Sequence, residues 1–122
     1  MDLNLNPEKN SIILEGYGQD YIKISGKKIF SPVLLFPDQY FPVKTSKFNI
    51  KNKIMDYDDR YKIDLIILGA PLGLLSPKDN LFTDLKSLHL PVEFMNTGAA
   101  CRTWTVLIGE GRCVCAFLKT DA

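Results

Sequence analysis

The chain has 122 residues, 46% of them hydrophobic and 24% charged, which suits one domain spanning residues 1–122 that buries a core without disulfide or metal staples. Fifteen basic against fourteen acidic residues leave a net charge of +1, which argues against a nucleic-acid binder relying on a strong positive field, although lysines gather between 44 and 53. No apolar run is long enough to cross a bilayer, the opening MDLNLNPEKN lacks the basic start and apolar core of a signal peptide, and the odd number of cysteines reads as reduced thiols in a cytoplasmic chain.

Residues 12–15, IILE, read as a short strand. YIKISGKKIFSPVLLF (21–36) reads as two strands around Ser25-Gly26-Lys27, with Ile22 and Ile24 on the face opposite Tyr21, Lys23 and Ser25. Pro32 lacks a ladder donor and marks an edge or bulge. Pro37 and Pro42 bound a turn, 48–56 is either a short helix or an edge strand, and MDYDDRYK (55–62) reads as a solvated loop. IDLIILG (63–69), nearly all apolar and ending on glycine, reads as a strand buried on both faces.

SPKDNLFTDLKSLHL (76–90) has Ser76 as N-cap, Pro77 at the first helical position, and Leu81, Leu85 and Leu88 at helical spacing. PVEFM (91–95) is a further strand, NTGAACRTWTVLIGEG (96–111) a second helix capped by Asn96 or Thr97, and RCVCAFLK (112–119) a last apolar strand. This order predicts a three-layer α/β domain with a central mixed, largely parallel sheet, two main helices and an N-terminal β-hairpin. The last strand has a short connection, so either direction is open to it.

Ligands of such sheets sit beyond the carboxyl ends of the strands, which points to the loops at 69–73 and 96–98. The second loop opens a helix, whose free N–H groups and dipole favour an anion. Gly69, Asn96, Thr97 and Arg102 are therefore candidate binding residues, and Arg112 a candidate on the following strand. Cys101, one turn into the helix and next to Arg102, is the candidate nucleophile, because both neighbours favour a thiolate. The competing reading makes Ala99, Ala100 and Cys101 small residues that let the helix approach the sheet, and pairs Arg102 with Glu110 or Glu93.

Other chemistry is thin. The single histidine, His89, excludes a histidine-rich zinc site; Cys113 and Cys115 share a strand face and read as packing rather than as half of a thiolate site, so no metal is expected. Gly16-Tyr17-Gly18 and Gly109-Glu110-Gly111 are too short for a dinucleotide fingerprint, and no phosphate-binding loop or nucleophile elbow occurs, so no cofactor is expected. Phe36, Tyr40, Phe41 and Phe48 near the 44–53 lysines read as sheet cover more readily than as a base-stacking surface.

VEFMNTGAACRTWTVLIGEGRCVCAFL (92–118), with DLIILG (64–69) and ISGKKIFSPVLLFP (24–37), resembles a small family of unknown function that includes the mitochondrial complex I assembly factor 3 and bacterial and archaeal relatives. Its pattern is similar to VEVMDTxAACRTYNxLxxEGRxVAAAL, matched here by Met95, Thr97, Ala99 to Thr103, Leu107 and Glu110 to Arg112. Departures are Gly69-Ala70-Pro71 in place of Gly-Thr-Gly, Trp104-Thr105 in place of Tyr-Asn, and the cysteines at 113 and 115. The resemblance implies an α/β three-layer fold, no established activity or cofactor, and, by analogy with the mitochondrial relatives, a role in assembling respiratory or other membrane complexes. The expectation is thus a non-enzymatic interaction protein of bacterial cytoplasm with a protein partner or a second copy of itself. The alternative is an anion-binding protein or cysteine-dependent enzyme at the 69–73/96–102 crevice.

Overall fold

The computed structural model describes residues 12–71 and 80–121. Eight strands and three helices follow one another as β1 (Leu14–Tyr17), β2 (Ile22–Ile24), β3 (Lys27–Ile29), β4 (Val33–Phe36), β5 (Gln39–Pro42), α1 (Ile50–Tyr61), β6 (Leu65–Gly69), α2 (Asn80–Lys86), β7 (Val92–Met95), α3 (Thr97–Gly109) and β8 (Val114–Leu118). β1, β2 and β3 form a small antiparallel sheet; the main sheet has the order β5-β4-β8-β6-β7. β8 runs parallel to β6 and antiparallel to β4, so both directions open to it are realised, one on each side.

The expected α/β class is the one observed, with refinements. The 21–36 stretch makes three strands rather than two. Ser25 and Gly26, with φ of 47° and 87°, turn β2 into β3 as the two-residue loop of a hairpin. The chain then leaves this sheet through Ser31-Pro32 and enters the main one, where Val33 pairs with both Pro42 and Leu118. The segment read as a solvated loop at 55–62 is the second half of α1. Ile54 and Tyr57 face the core at helical spacing, and Asp56 between them and Asp59 beyond them are exposed. Asn49 caps this helix by accepting from the Asn52 N–H at 2.9 Å, and Lys62 ends it in the left-handed region with φ 60°. The expected cap at Ser76-Pro77 and the loop residues Leu72 and Gly73 lie outside the described residues.

Strand alternation builds two cores, one on each face of the main sheet. Val33, Leu35, Leu65, Ile67, Val114, Ala116 and Leu118 meet α3 and the small sheet through Ile22, Ile24, Ala100, Cys101 and Trp104. Leu34, Phe36, Ile66, Leu68, Cys115 and Phe117 meet α1 and α2 through Ile54, Tyr57 and Leu85. The three central strands are buried throughout, as continuous apolar runs covered on both faces should be.

Candidate functional site

The parallel strands β6 and β7 end together, with Gly69 opposite Met95, and the chain turns at once into α3. Asn96 is the N-cap: its side-chain oxygen accepts from the Ala99 N–H at 2.8 Å and its carbonyl from the Ala100 N–H at 2.9 Å. Thr97 is 6% exposed, and its hydroxyl donates to the Lys119 carbonyl at 2.7 Å, tying the helix start to the chain leaving β8. Lys119 in turn donates its N–H to the Gly69 carbonyl at 2.8 Å.

Gly69 is where α3 comes closest to the sheet. A Cβ there would collide with the Ala100 side chain and stand 2.9 Å from Leu118 Cδ2, so the small residues of the sequence serve a close approach of helix to strand.

Above this junction lies an open crevice of about 690 Å³, lined by Tyr17, Gly18, Gln19, Pro71, Asn96, Thr97, Gly98, Arg102, Thr120 and Asp121. Its walls are held by Gln19 accepting from the Asp121 N–H at 2.9 Å and by Gly18 donating to Tyr21 at 2.9 Å. A Cβ on Gly98 would collide with the Tyr17 hydroxyl and stand 3.4 Å from Arg102 Nη1, so the phenol and the guanidinium lie over a residue without a side chain. Arg102 is exposed, and no ion pair to Glu110 or Glu93 forms. An apolar groove of about 420 Å³ continues past Tyr17 and Arg102 along β1 and α3, lined by Leu14, Cys101, Thr105 and Val106 among others. Tyr17 at 48% and Val106 at 58% are large apolar residues left exposed beside it.

Of the residues singled out by sequence, the structure brings Asn96, Thr97 and Arg102 to the crevice, with Gly69 beneath them. Arg112 is elsewhere. It sits at the opposite end of α3 and of the sheet, with its Nε 3.8 Å from Asp64 Oδ2. Cys101 is 7% exposed and faces the groove rather than the crevice. Its thiol is pushed up to about 11 by burial, which outweighs the opposing pull of Arg102, so the expected drift toward thiolate is reversed. Cys113 and Cys115 are likewise pushed up, chiefly by burial. His89, exposed and at φ 60° beyond α2, is not among the crevice residues. Among the described residues no cluster of histidine, cysteine and acidic side chains is arranged to hold a metal ion. No helix among them is long and apolar enough to cross a membrane.

Gly98 lies in the 96–98 loop that strand-end logic points to, whereas Tyr17 and Asp121 also line the site and lie outside the loops it indicates. Gly16-Tyr17-Gly18 is too short for a dinucleotide fingerprint but lies at the end of a strand. An aromatic between two glycines at a strand end was its usable signal.

Residues 14–119 match a family described as proteins of unknown function, DUF498/DUF598. The chain belongs to this family. No curated protein matches it. Among solved structures, it is similar to one described as an outer membrane protein from Bartonella henselae, with a TM-score of 0.71 and 22% identity over 88% of this chain and 92% of that one. A Xanthomonas campestris protein solved by NMR gives a TM-score of 0.66 and 20% identity over 97% and 90% of the two chains. A Bordetella pertussis protein described as an Mth938-like domain gives a TM-score of 0.64 and 20% identity, covering 100% of this chain and 94% of that one. At these identities the likeness is one of fold.

Proposed function

We propose that the chain is a non-enzymatic interaction module of assembly-factor type, working from the cytoplasmic side, with the surface around Tyr17, Arg102 and Val106 as its contact face. The observation that carries this reading is the apolar groove between β1 and α3, flanked by exposed Tyr17 and Val106 and by an arginine without an ion-pair partner among the described residues. Aromatics and arginine are the residue types enriched at protein contacts. A cysteine held protonated at neutral pH suits this reading better than nucleophilic catalysis. By the family resemblance, the partners are subunits or intermediates of respiratory or other membrane complexes. Parallel affinity purification of the wild-type chain and a Val106→Asp variant tests it. A protein retained by the first and lost from an equally folded second supports the reading, and identical eluates contradict it.

A second reading, binding of a small anion in the crevice, is favoured by the helix start rather than by net side-chain charge, since Arg102 and Asp121 both line the wall. α3 has no acidic residue in its first turn, and Arg102 adds a cation near the positive end of the helix dipole. A rise in Tm with added phosphate that disappears in Arg102→Ala would support it; equal Tm values at all phosphate concentrations would exclude it.

A further inference from the structure

A different part of the molecule carries the second surface. Residues 21–53 hold seven lysines and one acidic residue, Asp38, so this segment bears +6 while the rest of the chain bears −5 within a net charge of +1. The near-neutral total therefore conceals a strong separation of charge.

The fold gathers part of this positive segment around an apolar cleft. A depression of about 530 Å³ lies between the end of β3 and the end of β5, lined by Ile29, Phe30, Pro32, Pro42 and Val43, with Lys28 and Lys44 at its rim and, among the described residues, no acidic side chain in its wall. Phe30 is 59% exposed, a large apolar side chain left at the surface. Its ring meets Tyr21 at 6.0 Å between centroids, and Lys28 places its ammonium 4.5 Å from the Tyr21 ring. Asp38 is engaged elsewhere, accepting from the Tyr57 hydroxyl at 3.0 Å.

β3 and β5 are each the last strand of their sheet, so among the described residues each has one unpaired side facing outward. Lysines on an edge strand discourage pairing with another neutral or basic strand. The same lysines favour an acidic one.

We propose that the cleft between β3 and β5 docks an acidic, extended protein segment that inserts an apolar side chain against Phe30. Concavity and apolar walls favour a protein segment over a bilayer, which offers no anchor to enter a cleft. The rim lysines set the sign of the partner's charge. This proposal shares the interaction reading above but uses none of its residues, so the loss of one surface leaves the other testable.

The experiment is fluorescence anisotropy with a labelled peptide of alternating glutamate and apolar residues, Glu-Val-Glu-Phe-Glu-Val-Glu, titrated with the full chain at low salt. Two controls accompany it: the same peptide with lysine for glutamate, and an oligoglutamate. Expected are saturable binding of the first peptide alone, weakening as salt rises, and at least a tenfold loss in both Phe30→Ser and the Lys28→Glu/Lys44→Glu pair. Unchanged thermal melting of these surface variants shows that the fold is retained. Absence of binding overturns the proposal, as does equal binding of oligoglutamate or indifference to all the substitutions. Stronger retention on phosphatidylserine vesicles or on single-stranded RNA, abolished by the same variants, also overturns it and reassigns the surface.

Discussion

At its N-terminal end α3 starts beneath an open crevice; at its C-terminal end it closes into a tight corner. Each end carries an arginine next to small residues, and the two look alike along the chain. At the corner, Gly111 takes φ 80°, Arg112 donates its N–H back to the Leu107 carbonyl at 3.1 Å, and the Arg112 side chain meets Asp64. Asp64 and Cys113 also exchange two hydrogen bonds, at 2.7 and 3.2 Å. At the start, Asn96 caps the helix and the Thr97 hydroxyl ties it to Lys119, yet Arg102 makes no ion pair among the described residues and shares its surface with Tyr17 and Val106. What separates the two arginines is the company each keeps in space.

The largest break of this comparison removes both ends together. Trp104, 1% exposed midway along α3, anchors the helix to the sheet, so Trp104→Ala costs about 3–5 kcal/mol, read from denaturant unfolding. Gly69→Ala attacks the starting end alone. The new methyl collides with Ala100, costing about 1–3 kcal/mol, and a crystal structure of the variant shows α3 displaced from β6.

Alkaline pH acts on the buried thiol between the two ends. The folded-state pKa of Cys101 lies above its ordinary value of 9.0, so above pH 9 the unfolded chain loses the proton first. The stabilisation is complete below that pH and is lost as pH rises through 11, by on the order of 3 kcal/mol. Cys101→Ala shows a shallower decline over the same window in pH-dependent melting. Smaller still is Thr97→Val. It strips the part-buried Lys119 carbonyl of its hydroxyl donor, costing about 1 kcal/mol in chemical denaturation while leaving the corner at Arg112 untouched.

Much of this frame was legible in advance. IDLIILG (63–69) reads as a strand buried on both faces and RCVCAFLK (112–119) as an apolar strand because their apolar residues run nearly without a break, and Asn96 or Thr97 reads as the cap of the helix between them. The second half of α1 was hidden because Asp56, Asp58, Asp59 and Arg60 mask a core stripe carried by Ile54 and Tyr57. The crevice was half legible. Asn96, Thr97 and Arg102 follow from strand-end logic, whereas Tyr17 and Asp121 arrive from distant parts of the chain through pairing of β1 and through the segment after β8. Local pattern carries no record of such meetings. Nor does it weigh burial against charge, which leaves Cys101 open to two readings, thiolate candidate or packing residue; burial decides for the second.

The central claim, that the start of α3 is a contact face and its end is not, is tested most directly by comparing Arg102→Ala with Arg112→Ala in one experiment. Both substitutions are at exposed side chains, and each alters stability by no more than about 0.5 kcal/mol. Quantitative affinity purification of tagged chains then reads the difference. The account predicts that the partner retained by the wild-type chain is retained by Arg112→Ala and lost by Arg102→Ala, with both variants melting like the wild type. Equal retention by the two variants, or loss only in Arg112→Ala, would contradict it.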